Sequence, residues 1–294
     1  EVPMQWRGRR TSRNIEDRRQ SGGGAMRPRR GGGGGRMGIG ATLIVLLVGA
    51  YFGVDVSSFL GEGGGLPTTQ TTSAPRGPNQ IDDDQEAFVA TVLAETEQVW
   101  GQMFEASNLE YSETVLVLYS GGTSSGCGLA QSAMGPFYCP GDQRVYLDTG
   151  FFQVMEQQLQ AGGEFANAYV IAHEVAHHVQ NLLGTLSQVN TQRSRASETE
   201  SNALSVRLEL QADCYAGIWA RAASERLQVS QSDIREALRT AARIGDDALQ
   251  RAAGRSVVPD SFTHGTSEQR QEWFFAGYTD GDPQNCDTFS PRTL

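Results

Sequence analysis

The sequence predicts an α+β domain, mostly helical with a small antiparallel or mixed sheet, preceded by one transmembrane helix. Several amphipathic stretches with apolar residues every three or four positions predict the helices. A few short runs of β-branched residues, bounded by glycine and proline, predict the sheet. An uncharged apolar segment near the N-terminus predicts the membrane span, and the 294 residues suffice for one or two domains.

The N-terminal region is strongly basic. Residues 1–36 contain ten arginines and three acidic residues, which leaves −17 for the rest of a chain whose net charge is −10. The region is rich in glycine and poor in apolar residues, so we expect residues 1–36 to form a disordered cytoplasmic tail. Such tails bind RNA or anionic lipid in some proteins. The apolar segment that follows directly favours a role in membrane orientation, and nucleic acid is not an expected partner.

The apolar segment reads MGIGATLIVLLVGAYFGV over residues 37–54 and carries no charge. As a helix it would be about 27 Å long, close to the hydrocarbon thickness of a bilayer. A cleaved signal peptide is the alternative, but the basic region before it is long and no clear cleavage site follows. We therefore expect residues 37–56 to cross the lipid bilayer of the cell membrane once, with the N-terminus in the cytoplasm.

A linker and one compact domain are expected after this segment. Glycine, proline and threonine dominate residues 57–80 and predict a linker without regular structure. The remaining residues, 81–294, have the size of a single domain, which the membrane topology places outside the cytoplasm.

Helices and strands are expected in a definite order within this domain. Helical periodicity covers about 82–104, with Asp82 available as the cap, then 163–184 and about 201–224. Two more helices begin at the capping pairs Ser230/Asp233 and Thr266/Gln269. Strands are predicted over 114–120 and 144–148, and we expect the second to present a free edge to an extended peptide.

A histidine-rich motif lies in the second predicted helix. Three of the four histidines of the chain fall in AYVIAHEVAHHVQNLLG, residues 168–184. His173 and His177 are one turn apart on the same face, so two imidazoles can bind a single zinc ion. Glu174 lies between them and can reach a water molecule on that ion, as in the H-E-x-x-H arrangement of zinc hydrolases. The surrounding apolar residues predict a buried helix and a dry site.

The next helix offers a third metal ligand. A catalytic zinc ion needs three protein ligands and one open position. In RLELQADCYAG, residues 207–217, Glu209 and Asp213 are again one turn apart. Glu209 would complete a set of two histidines and one carboxylate around one Zn²⁺ ion. Asp213 could accept the free N–H of an imidazole ligand, which orients the ring and raises its basicity.

Two residues near the C-terminus are candidates for a role in catalysis. His264, in SFTHGTSEQR, could donate a hydrogen bond to a developing oxyanion. Arg270, on the first turns of the last predicted helix, could do the same or anchor Asp213. A surface histidine and a surface arginine are the alternatives.

The four cysteines, Cys127, Cys139, Cys214 and Cys286, all lie in the predicted external domain. An even number in an oxidising compartment predicts two disulfides, and four cysteines allow three pairings. The short loop between them favours Cys127–Cys139, which leaves Cys214–Cys286. A buried, reduced Cys214 is the alternative.

The motifs HEVAHHVQ, ELQAD, FYCPGDQRVYLD and THGTSEQR together resemble the neutral zinc metallopeptidase family of bacteria. The resemblance covers about residues 81–294 and the apolar segment. It implies a zincin-like fold and a single-pass membrane protein with one external peptidase domain. The order of the motifs is also similar to that of the gluzincin membrane peptidases of the Ste24 and HtpX type. That likeness implies Glu209 as the third ligand and His264 as a contact of the transition state.

These observations predict a membrane-anchored zinc peptidase that hydrolyses extracytoplasmic proteins or peptides, with Glu174 as the general base. The alternative is a membrane-tethered scaffold in which zinc is structural. Structural zinc sites are closed by four protein ligands, most often cysteines. In this sequence the ligand set stops at three and the cysteines are expected in disulfides, so catalysis is favoured. The physiological substrate and the oligomeric state are not predicted.

Overall fold

A computed structural model describes residues 4–19 and 80–290 of the chain. These two ranges form an α+β fold in which helices predominate and pack against a small sheet, as the sequence predicts. The helices are α1 (Asp84–Ala106), α2 (Phe151–Gln157), α3 (Glu164–Leu182), α4 (Thr185–Arg193), α5 (Glu198–Leu227), α6 (Gln231–Arg243), α7 (Asp246–Ala252) and α8 (Ser267–Asp280).

The main sheet is mixed and has four strands in the described part of the chain. The strands are β1 (Ile15–Asp17), β2 (Val115–Tyr119), β3 (Gly122–Ser125), β4 (Gly128–Gln131), β5 (Phe137–Cys139) and β6 (Arg144–Asp148). The main sheet has the order β1-β2-β6-β5, and β3 and β4 form a separate hairpin. β6 pairs with β2 on one side and with β5 on the other. The expected free edge at residues 144–148 is therefore wrong, because both edges of β6 are paired.

Most helix caps agree with the local sequence signals. Capping boxes begin α6 at Ser230 and α8 at Thr266, as predicted. The cap of α1 is Asp83, whose side chain accepts the Glu86 N–H, and not the neighbouring Asp82. Asp83 has the extended backbone that a helix cap requires, so its carboxylate can reach back to the first turn.

The N-terminal segment, residues 4–19, packs onto the rest of the fold, which corrects the prediction of a disordered tail over residues 1–36. β1 pairs in parallel with β2, with Ile15 opposite Leu116. Met4, Trp6 and Ile15 are buried in the main hydrophobic core. The segment has few apolar side chains, but they pack against residues about a hundred positions later in the chain. Composition alone does not reveal such long-range contacts. Residues 20–36 lie outside the described ranges.

The predicted membrane topology is wrong. Within residues 4–19 and 80–290, no helix combines the length and apolar character that a bilayer crossing needs. The expected span at 37–56 and the linker at 57–80 lie outside these ranges, apart from residue 80 itself. β1 precedes and β2 follows that expected span, yet they pair in one sheet. A single crossing between them would put the two strands on opposite sides of a membrane. The cell-membrane localisation with a cytoplasmic N-terminus is therefore not supported.

Two glycines allow α5 and α8 to touch through their backbones. A Cβ atom added at Gly217 would lie 2.0 Å from the carbonyl oxygen of Phe274. One added at Gly277 would lie 1.9 Å from the carbonyl oxygen of Cys214. No larger residue fits either position without separating the helices. This close crossing holds α8 beside the part of α5 that carries Asp213.

Both disulfides are present, with the pairing that the short loop favours. Cys127–Cys139 joins the β3–β4 hairpin to β5, and Cys214–Cys286 joins α5 to the C-terminal segment. Both Cys214 and Cys286 are buried. The alternative of a reduced Cys214 is therefore wrong.

Candidate metal centre

The predicted metal ligands converge from α3 and α5. His173 and His177 lie one turn apart on α3, and their rings are nearly perpendicular with centroids 4.9 Å apart. Glu209 reaches both rings from α5: its Oε2 is 3.1 Å from Nε2 of His173, and its Oε1 is 3.5 Å from Nε2 of His177. One donor atom from each residue lies within 4.8 Å of the other two. The structure thus brings the three residues together across two helices.

The donor set fits a zinc ion. Two imidazole nitrogens and one carboxylate oxygen are typical ligands of catalytic zinc, and a set of three leaves one position open. Burial alone would lower the pKa of His173, but Asp213 and Glu209 outweigh it and raise that pKa to about 10. Burial would raise the pKa of Glu209, yet the two imidazoles hold it well below its usual value. The charges around the three donor groups therefore favour a cation between them.

Asp213, one turn beyond Glu209 on α5, lies against His173. Its Oδ1 lies 2.8 Å from Nδ1 of His173 and accepts a hydrogen bond from the Tyr169 hydroxyl. Asp213 is fully buried. Since its carboxylate accepts the proton on Nδ1, Nε2 of His173 is the nitrogen that faces Glu209 and would bind a metal ion once its own proton is displaced.

Arg270 supports this carboxylate and does not face the open side of the site. Its guanidinium donates to both oxygens of Asp213 and to the Tyr169 hydroxyl. A fourth hydrogen bond goes to the carbonyl oxygen of Ile244. Arg270 is only 3% exposed. These contacts attach the guanidinium to Asp213 and favour the second of the two predicted roles of Arg270, the anchor of that carboxylate.

Glu174 lies on the same helix between the two imidazoles. It is buried, and burial raises the pKa of its carboxyl, although His177 and His173 act in the opposite direction. A carboxylate with a raised pKa is better suited to accept and return a proton near neutral pH. Its position and its environment both agree with the predicted role of general base.

His264 is held by a carboxylate that sequence analysis missed. Oδ1 of Asp246 lies 3.0 Å from Nδ1 of His264, and its Oδ2 accepts the backbone N–H groups of residues 263–265. Burial would lower the pKa of His264, but Asp246 raises it above its ordinary value. The charge of Glu209 acts in the same direction. The Asp246–His264 pair fixes Nδ1 and favours the protonated ring, in which Nε2 also carries a proton that it can donate.

Gln180 is a second functional candidate that sequence analysis missed. Its Oε1 lies 2.9 Å from Nδ1 of His177. Gln180 thus accepts a hydrogen bond from Nδ1 of His177, as Asp213 does from Nδ1 of His173. The next histidine, His178, lies on another face: its Nδ1 is 3.0 Å from the Tyr138 hydroxyl and its Nε2 is 2.7 Å from the carbonyl oxygen of Ser112. His178 therefore packs α3 against β5 and the loop before β2.

A second group of carboxylates forms ion pairs with an arginine. Oxygens of Asp17, Asp82 and Glu86 lie close enough to one another to hold a cation. Arg19 already forms ion pairs with all three, and with Asp83. We interpret this cluster as the anchor of the N-terminal segment and not as a metal site.

Comparison with known proteins agrees with this geometry. Residues 4–289 match the family described as "Putative neutral zinc metallopeptidase". The chain is 48% identical over 287 residues to "Uncharacterized protein YpfJ" of Escherichia coli strain K12, which covers 97% of this chain and 99% of that protein. It is 46% identical over 195 residues to "Uncharacterized protein Mb2605" of Mycobacterium bovis, covering 63% of this chain and 65% of that protein.

No solved structure matches the chain. The likeness of motif order to peptidases of the Ste24 and HtpX type is not addressed by these matches, and it stays a prediction from the sequence. The family match extends over nearly the whole chain and takes in the metal ligands and their supporting residues. The chain therefore belongs to the neutral zinc metallopeptidase family.

Proposed function

We propose that this chain is a zinc-dependent peptidase that binds one Zn²⁺ ion through His173, His177 and Glu209. The observation that carries the proposal is the convergence of these three donor groups from two helices, beside a buried glutamate. When bound, zinc would polarise the scissile carbonyl and acidify a water molecule held at the open position. The membership of the chain in a zinc metallopeptidase family supports the choice of metal and of reaction.

Glu174 is the proposed general base. It accepts a proton from the attacking water and delivers it to the amine that leaves when the peptide bond breaks. The raised pKa of its buried carboxyl supports this exchange of a proton in both directions. Removing the carboxylate charge while keeping the shape, as in Glu174→Gln, should therefore block turnover and leave metal binding intact.

His264 is the proposed donor to the oxyanion of the transition state. Asp246 accepts the Nδ1 proton and raises the pKa of His264, which favours the protonated ring, in which Nε2–H can donate as well. A donor fixed in advance in this way stabilises developing charge without reorganisation. Because Asp246 acts only through the ring of His264, it is a positioning residue.

The proposed place for an extended substrate is the edge formed by β5. β5 is the last strand of the sheet on the side of α3, and Tyr138 within it contacts His178. A peptide that pairs with an edge strand gains backbone hydrogen bonds whatever its sequence. A depression of about 430 Å³ lies beside this edge, with Pro140, Asn181 and Ser187 among its lining residues. Its lining is uncharged, which favours neutral substrate side chains in this depression.

A peptide-library digest with purified protein tests the proposal. The zinc-loaded wild type should cleave peptides, and Glu174→Gln should bind zinc normally and lose about three orders of magnitude or more in rate, at the upper range of general acid–base effects. A chelator should stop cleavage by the wild type, and added zinc should restore it. Equal cleavage by the wild type and Glu174→Gln would contradict the assignment of the general base.

The same experiment separates a peptidase from a structural zinc protein. Loss of a structural zinc ion unfolds a small domain. The described disulfides and the large core of this protein are independent of the metal, so the chelated protein should keep its circular dichroism spectrum. Unfolding on chelation, without any cleavage before it, would favour the scaffold.

A further inference from the structure

A chain of hydrogen bonds leads from the metal ligand His177 to the C-terminal segment. Nδ1 of His177 lies 2.9 Å from Oε1 of Gln180, and Nε2 of Gln180 donates to Oε1 of Gln211 over 3.1 Å. Nε2 of Gln211 then donates to the carbonyl oxygen of Cys286, also over 3.1 Å. Gln180 and Gln211 are both buried. We call these two side chains the glutamine relay.

The direction of the relay follows from its last acceptor. A backbone carbonyl oxygen only accepts hydrogen bonds, so Gln211 must turn its NH₂ group toward Cys286 and its oxygen toward Gln180. Gln180 must then present its NH₂ group to Gln211, and that group also donates to the carbonyl oxygen of Leu208 over 2.7 Å. The oxygen of Gln180 is left facing His177. Gln180 is therefore held in this orientation by two acceptors, the Leu208 carbonyl and Oε1 of Gln211, and Gln211 is held by the carbonyl of Cys286.

The orientation of the Gln180 amide determines the tautomer of His177. An oxygen at Nδ1 requires that Nδ1 carry the proton, which leaves the lone pair of Nε2 free on the side of Glu209. If the Gln180 amide were reversed, its NH₂ group would face Nδ1, and the proton would move to Nε2. A protonated Nε2 cannot bind a metal ion. The orientation of two uncharged amides thus decides whether His177 is a ligand.

Cys286, at the end of the relay, is held in place by a disulfide and by hydrogen bonds of the neighbouring residues. Cys286 is bonded to Cys214 on α5, the residue directly after Asp213. Two residues further on, the Thr288 carbonyl accepts a hydrogen bond from Arg207 over 2.6 Å, and the Thr288 hydroxyl donates back to the carbonyl of Arg207. The C-terminal segment is thereby attached to the same helix that carries Glu209 and Asp213.

We propose that Gln180 and Gln211 are positioning residues for the metal ligand His177, and that two backbone carbonyls, of Leu208 on α5 and of the disulfide-held Cys286, set their orientation. The proposal rests on the metal centre proposed above and adds the second support of that centre. His173 is oriented by a charged carboxylate, whereas His177 is oriented by a neutral relay whose polarity comes from these two carbonyls. Loss of an outer partner of this kind typically lowers metal affinity by about 10- to 100-fold.

Zinc affinity, measured by competition with a chelating dye, tests the relay without reference to activity. Gln180→Leu should lower the affinity about 10- to 100-fold, and Gln211→Leu should lower it by a smaller but measurable factor, because the Leu208 carbonyl still holds Gln180. Gln250→Leu is the matched control, since Gln250 is a buried glutamine that bonds Ser261 and the Val258 N–H, away from the metal ligands. It should leave the zinc affinity unchanged.

A rescue variant separates orientation from general loss of packing. In Gln180→Glu, the carboxylate still accepts the Nδ1 proton of His177, but it cannot donate to Leu208 or Gln211 as the amide does. Gln180→Glu should therefore bind zinc more tightly than Gln180→Leu, and adding Gln211→Leu to it should cause no further loss, because Gln211 no longer orients the residue at position 180. Wild-type affinity in Gln211→Leu would overturn the relay, and so would an equal fall when Gln211→Leu is added to the wild type and to Gln180→Glu.

The disulfides give a second test that does not depend on the buried amides. Cys214→Ala/Cys286→Ala should lower zinc affinity by about the same factor as Gln211→Leu, whereas Cys127→Ala/Cys139→Ala, at the β3–β4 hairpin, should leave it unchanged. Equal affinity in the two double variants would overturn the role of Cys286. A wild-type chain that binds no zinc would overturn the metal centre and the relay together.

Discussion

Arg270 holds Asp213 by two hydrogen bonds, with Nε 2.8 Å from Oδ2 and Nη2 2.9 Å from Oδ1. Both side chains are almost completely buried. An arginine that donates two hydrogen bonds to one carboxylate has its charge compensated there. It therefore acts on the site through Asp213 and His173.

This relationship predicts how variants of Arg270 behave. Arg270→Met leaves a buried carboxylate without its cation, and such a loss typically costs about 3–5 kcal/mol in the free energy of unfolding. Urea denaturation of the metal-free protein measures it. Arg270→Met/Asp213→Leu should recover part of the loss, because the unpaired charge is gone. Normal stability of Arg270→Met together with a large fall in kcat would instead indicate a direct role at the oxyanion.

The glycine contact between α5 and α8 predicts a strong response to a single methyl group. Gly217→Ala or Gly277→Ala should lower the free energy of unfolding by about 1–3 kcal/mol or more, since helix backbones must separate to admit the Cβ atom. Thermal denaturation of each variant measures this. Gly101→Ala is the control: Gly101 lies in α1 with no atom within 4 Å of an added Cβ, so it should stabilise by about 0.5–1 kcal/mol.

Because the N-terminal segment packs into the core, we expect the stability of the protein to depend on residues far from the candidate metal site. Trp6 is buried against Phe88, and its indole N–H donates to Glu164 over 3.0 Å. Trp6→Ala should cost about 3–5 kcal/mol, a typical value for a buried aromatic side chain. Phe275→Ala is a suitable control, because Phe275 is 50% exposed and should change stability little. Equal melting temperatures of the two variants would contradict the docking of the segment.

Acid should loosen this segment. Burial would raise the pKa values of Asp17 and Asp83, but hydrogen bonds and the charge of Arg19 outweigh burial and hold both below their ordinary value of 3.8. A carboxyl whose pKa is lowered by folding contributes stability above its unfolded pKa, and that contribution is lost as the pH falls through the folded pKa. The ion pairs of Arg19 should therefore be complete at neutral pH and absent in strong acid.

The pH dependence can be isolated with one substitution. The difference in unfolding free energy between the wild type and Arg19→Met should be clear at pH 7 and should shrink steadily as the pH falls below about 4. Arg195→Met, at an exposed position, provides the baseline. A difference for Arg19→Met that is constant with pH would show that its carboxylate partners contribute nothing.

The features of the candidate metal centre that the sequence predicts depend on residue spacing within single helices. His173 with His177, and Glu209 with Asp213, are pairs separated by one helical turn, so helix geometry alone places each pair on one face. The capping boxes at Ser230 and Thr266 are local in the same sense. Local spacing therefore suffices for the ligands and for most helix starts.

The parts that were missed depend on contacts between distant positions. Asp246 supports His264 from 18 residues away, and no pattern near either residue indicates the other. Gln180 lies inside the histidine-rich motif, but its role depends on Gln211, 31 residues later. Ile15 joins the sheet only because β2 offers a free edge on that side. The basic composition around it predicts disorder, and the long-range pairing overrides that preference.

The most direct test of the metal centre is the zinc content of the purified protein, measured by mass spectrometry for the wild type, Glu174→Gln and Glu209→Gln. The three-ligand site predicts one zinc ion per chain in the wild type and in Glu174→Gln. It predicts a large loss in Glu209→Gln, whose neutral amide replaces the carboxylate ligand. Full zinc content in Glu209→Gln at limiting metal concentration, or no zinc in the wild type, would contradict the site.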